Sequence, residues 1–98
     1  MLKVQTKSGF VWEVDEEQAK DWRFGKHLAL CDSKNYSEVL KGITFCVPFL
    51  LGEDGEEALI KHVIDDKGHA SSEKVIEEFN EIMTLIGEDA KKSESSQD

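Results

Sequence analysis

His27 and Cys31 stand four residues apart, the spacing that sets two side chains on one face of a helix. An imidazole and a thiol so placed are part of a tetrahedral zinc site, or the base and nucleophile of a thiol enzyme. A zinc site needs further ligands, and no Cys-x-x-Cys pair supplies them; His62 and His69 would join only through the fold. A nucleophilic cysteine needs a third group to orient its base. The expectation is therefore a surface histidine beside a small buried thiol. Acidic runs raise calcium as a second chemistry. An EF-hand loop has its glycine at the sixth position and acids at both ends. With Gly68 at that position the loop would run from Val63 to Lys74, and with Gly55 it would start at Leu50, so both fail. Glu53, Asp54, Glu56 and Glu57 read better as helix-cap and first-turn acids. No glycine-rich phosphate loop, nucleophile elbow or carboxylate pair with an evident pocket occurs. The expectation is a protein that is not an enzyme, with no catalytic residue, metal ligand or cofactor.

The elements follow from periodicity. Leu2, Val4, Phe10, Trp12 and Val14 alternate with polar or smaller residues on both sides of Ser8-Gly9, which predicts a β-hairpin with one apolar face. Asp15 is placed to cap a helix over 16–31, with Gln18 closing a capping box. Its apolar face would carry Trp22, Phe24, Gly25, Leu28, Ala29 and Cys31, with Lys20, Arg23 and His27 opposite. After a turn at 32–35, Ser37 caps a second helix that is apolar almost all round. Val39, Leu40, Ile43, Cys46, Val47, Leu50 and Leu51 share its main arc, and Phe45 and Phe49 form a second stripe. Such a helix is either the centre of the fold or a partner-binding element, and the Phe45/Phe49 edge is the part expected to be exposed. Pro48 should kink it or force a restart.

Gly52 punctuates, and Asp54 opens a short helix lined by Leu59, Ile60, Val63 and Ile64 that ends at Gly68. Ser71 or Ser72 caps a last helix that buries Val75, Ile76, Phe79, Ile82, Met83 and Ile86, turns Glu77, Asn80, Glu81 and Thr84 outward, and stops at Gly87. From Glu88 onward no large apolar residue appears, so 88–98 reads as a disordered acidic, Ser-rich tail. The fold class expected is α+β: one domain over 1–87, with an N-terminal β-hairpin packed on three or four α-helices.

The chain has 98 residues, 39% hydrophobic and 34% charged, enough for one core and no more. Twelve Lys and Arg oppose twenty-one Asp and Glu, a net charge of −9. Residues 1–51 hold seven of each sign, so the whole excess falls in 52–98, with fourteen acids against five bases. That field repels phosphate backbones and argues against nucleic acid. No apolar run is long enough to span a bilayer, and the start of the chain has no signal-peptide pattern, so cytoplasmic residence is expected. Cys31 and Cys46, well separated in sequence, read as free thiols.

Taken as a set, several segments resemble a known family. They are the Lys7-Ser8-Gly9-Phe10 hairpin, the Asp15-Glu16-Glu17-Gln18 start leading to Asp21-Trp22-Arg23-Phe24, Leu50-Leu51-Gly52-Glu53-Asp54-Gly55, the Lys67-Gly68-His69 turn, the helix from Val75 to Ile82, and the Lys/Ser-rich end. The chain resembles the small tail assembly chaperones of long-tailed phages of Gram-positive bacteria and their prophages. The resemblance implies a protein of the host cytoplasm that binds the long tape measure protein. It would keep that client soluble while the tail tube polymerises, and would be absent from the mature virion. It also implies a longer product made by a −1 frameshift, for which codons at Lys91-Lys92 are the expected place. Phe45 and Phe49, with Val39 and Leu50, are the candidate partner-binding residues, and self-association is possible. Two other classes are left open: an acidic regulatory protein, either an inhibitor or a nucleic-acid mimic, acting through its negative surface, and a small metal-dependent enzyme.

Overall fold

The computed structural model describes residues 1–95. Strands β1 (Leu2–Gln5) and β2 (Val11–Val14) pair antiparallel, with Leu2 opposite Val14 and Val4 opposite Trp12. The Thr6 amide donates to Phe10 O at 2.9 Å and the Gly9 amide to Thr6 O at 3.0 Å, and Gly9 takes the positive φ of +96° that the turn requires. Val4, Phe10 and Val14 are buried, while Leu2 and Trp12 pack against the core from its edge. The hairpin lies on three helices, so the class is α+β.

The expected helix over 16–31 is broken into three pieces. A 3-10 turn, Glu16–Lys20, precedes α1 (Trp22–Leu28), and a second 3-10 turn, Ala29–Asp32, follows it. Asp15 caps the first turn through the Glu17 amide. Asp21, in extended backbone, starts α1 afresh by accepting from the Arg23 amide. That restart rotates the wheel. Phe24 goes fully into the core, and Trp22, expected inside, stands 82% exposed. Gln18 does not close a box onto Asp15 but reaches Phe49 O at 3.4 Å.

Helix α2 (Tyr36–Val63) is capped by Asn35, which accepts from the Ser37 amide; Ser37 itself is inside the first turn. The backbone stays helical through Pro48 and breaks at Gly52, where φ is +79° and ψ 168°. That region is essentially reserved for glycine. Because Gly52 holds the cap position, Glu53 and Asp54 fall in the first turn of the second half, and Asp54 is not the cap. A break in a helix frees carbonyls of the preceding turn. Two of them are taken by side chains: Trp12 Nε1 donates to Leu51 O at 3.1 Å, and Gln18 Nε2 to Phe49 O. Helix α2 ends at Val63 rather than Gly68, which instead gives its positive φ to a turn tied by Asp65.

Helix α3 (Ser72–Ser95) continues through Gly87, past the expected stop, and the disordered tail expected from Glu88 is not confirmed. Residues 96–98 of the expected tail lie outside the described residues. One mid-helix glycine costs about 1 kcal/mol relative to alanine, and the good helix formers that follow it offset that. Phe79 and Ile82 are fully buried, and Phe79 meets Phe24 at 6.3 Å between ring centres. Full burial of each such side chain contributes about 1.5–3 kcal/mol. No helix among the described residues is long and apolar enough to cross a membrane.

Candidate functional site

The histidine and thiol that opened the chemical question do not converge. His27 Nδ1 lies 2.7 Å from Arg23 O, and its ring stacks on Phe45 at 3.8 Å with 13° between planes. Cys31 Sγ lies 3.9 Å from His27 O and meets Cys46, a contact invisible in sequence because it depends on the Ala29–Asp32 turn lying against α2. Gly42 permits the approach: a Cβ there would sit 2.5 Å from His27 O and 2.9 Å from Cys31 Sγ. Burial, with the neighbouring Cys31 thiol, pushes Cys46 up to about 12, and burial and then Asp32 raise Cys31. Thiolate is the reactive form, so neither thiol is prepared for attack near neutral pH. His69 is exposed on its turn, and among the described residues no three His, Cys, Asp or Glu side chains could hold a metal.

His62 has a different partner. Its Nε2 lies 2.9 Å from Ser8 Oγ, and Ser8 donates to both carboxylate oxygens of Glu78 at 3.0 Å. Thr6 Oγ1 donates to Glu78 Oε1 at 2.7 Å, and Glu81 Oε2 accepts the Lys7 amide. A serine, a histidine and a glutamate are thus joined, but in the wrong order for acyl transfer. The carboxylate accepts the serine hydroxyl's hydrogen bond instead of standing behind the imidazole. The arrangement is a clasp by which two carboxylates, one turn apart on α3, hold the hairpin turn. Period-two and helical patterns cannot reveal it, and by helical spacing alone Glu81 falls on the outer face.

The predicted partner-binding residues separate. Leu50 is only 4% exposed and belongs to the core, so it is not available to a partner. Val39 is half-buried against that core. Phe45 and Phe49 stack at 5.2 Å and are roofed by α1, with His27 over Phe45 and the Arg23 guanidinium 5.3 Å from the Phe49 centre. The edge expected to be open is therefore partly covered.

An apolar cleft lies elsewhere, with a floor as buried as Leu50 (Ile43, Val47 and Leu59) and a rim that opens at Ile60. Leu40, Ile43 and Val47 from the first half of α2, Leu59 and Ile60 from the second, and Val75 from α3 line a cleft of about 200 Å³. Thr44, Glu56 and Ser72 are its polar members. Ile60 is 40% exposed at its rim, and Ile64, four residues on, is 44% exposed. The cleft exists because Gly52 turns the two halves of α2 against each other. The sequence signal for it was the surplus of apolar residues around α2, more than one core-facing stripe requires. Compared with known proteins, the chain matches no family model, no curated protein and no solved structure.

Proposed function

We propose that this chain is a non-enzymatic binding protein that shelters an aggregation-prone helical client. Following its resemblance to the phage tail assembly chaperones, that client is the tape measure protein in the host cytoplasm. The observation that supports the reading most is the apolar cleft between the halves of α2 and the start of α3. A concave apolar site edged by a few polar groups is the default place for a bound partner. The acids of the second half would keep a loaded complex in solution.

Co-expression with the tape measure protein of the same phage or prophage tests the reading. The client should stay in the soluble fraction with this chain and precipitate without it, and the complex should survive high salt. A client equally soluble in both cases would remove the chaperone role. One observation favours the acidic regulator as a second reading: the ion pairs found among the described residues, Met1–Glu16, Glu17–Lys20 and Asp21–Arg23, all fall at the start of the chain. Recovery of a small basic partner that is lost at high salt would select that reading.

A further inference from the structure

We propose that the α2–α3 cleft takes one amphipathic helix whose apolar stripe is flanked by Lys or Arg. The proposal rests on the reading of this chain as a binding protein, and it specifies the chemistry of what is bound. The shape argument is local. Leu40, Ile43 and Val47 follow helical spacing on one wall, and Glu56, Leu59 and Ile60 follow it on the other. Two such ridges present a groove into which the side-chain ridge of a third helix fits. The volume, about 200 Å³, suits one large apolar anchor, since a cavity of about 150 Å³ lined by aliphatic groups is enough to hold benzene.

Charge selects the flanks. Between residues 53 and 77, the stretch that builds the second wall and the start of α3, eight acids accompany three lysines. Glu56 lines the cleft itself. The ion pairs among the described residues lie within residues 1–23 and neutralise none of these acids. Glu56 beside an apolar floor, on a stretch of chain with a net negative charge, favours a cationic border on the ligand and disfavours an acidic one. The same field argues against the other occupants. Lipid headgroups of anionic membranes and nucleic acid would be repelled, and a second copy would bring its own −9 to the contact.

The test uses the full chain and two synthetic helical peptides with the same Leu/Phe stripe, one bordered by Lys and one by Glu. Binding is read by amide chemical-shift mapping and by titration. The Lys peptide should bind roughly tenfold or more tightly than the Glu peptide, with shifts centred on Leu40, Val47, Ile60 and Val75. Ile60→Glu alters a rim residue that the core does not need, and it should abolish the shifts without lowering Tm. Glu56→Lys should narrow the preference between the peptides by weakening the Lys peptide and strengthening the Glu peptide, which a loss of folding would not do. Equal binding of both peptides, shifts centred on Phe45 and Phe49, or a cleft closed by dimerisation in sedimentation would overturn the proposal. The two readings fail separately. A tape measure protein still held by the Ile60→Glu chain would sink the groove and leave the chaperone standing. Peptide binding without any tape measure capture would do the opposite.

Discussion

Asp21 accepts two hydrogen bonds from the Arg23 guanidinium, at 3.1 and 2.9 Å, and one from the Arg23 amide at 2.8 Å. The guanidinium first, then the amide, holds its carboxyl at about 2 against an ordinary value of 3.8. A carboxyl lowered on folding stabilises the native state above its ordinary value and loses that contribution as pH falls through the folded value. Asp21→Asn keeps an acceptor for the helix start and removes the charge. Its Tm deficit should be steady above about pH 5 and close as the pH approaches 2. The pair is exposed, so the deficit is small and shrinks in salt. Thermal melts across pH decide the point, and a deficit unchanged down to pH 2 would assign the loss to cap geometry. The same residue explains what the sequence concealed here. Asp15 and Asp21 are both good caps, and periodicity alone cannot say that the second one interrupts the helix and leaves Trp22 outside.

At the scale of elements, the break in α2 is held by neighbours rather than by α2 itself. Trp12 from the hairpin caps Leu51 O, and Gly55 leaves the space in which the indole lies. A Cβ on Gly55 would come within 2.7 Å of Trp12 Nε1 and 2.6 Å of Leu51 Cβ, closer than real contacts allow. Gly55→Ala should expel the indole and cost about 1–3 kcal/mol as an overpacked site. Exposed Trp22 can be changed to Phe so that emission reports Trp12 alone. In that background Gly55→Ala should shift emission to the red and lower the urea midpoint, and an unshifted spectrum would mean the notch is looser than it is drawn. The hairpin was legible because its period and its Gly9 turn are local. So was the inner face of α3, where Phe79, Ile82 and Ile86 are buried as spaced. The continuation past Gly87 was not legible, because one glycine only weakens a helix and does not end it.

For the molecule as a whole, elongated at 50 × 28 × 21 Å, the question is what joins a two-stranded hairpin, marginal by itself, to the helices. Apolar contact from Val4, Phe10 and Val14 supplies the area, and the Glu78 clasp fixes the position. Thr6 is 3% exposed and Glu78 9%, so that carboxylate depends on its hydroxyl donors in place of water. Both partners lie 72 residues apart in sequence, which is why no pattern announced them. Thr6→Val keeps the shape and removes one donor, along with the acceptor of the Phe10 amide. It should cost about 1–3 kcal/mol, the range for a buried polar group left short of a partner. Native-state hydrogen exchange shows where that loss falls. If the clasp is the joint between hairpin and helices, the amides of β1 and β2 lose protection while those of 43–50 in α2 keep theirs. Equal loss along the chain would mean that the hairpin leaves only when everything unfolds, and that the apolar face alone holds it.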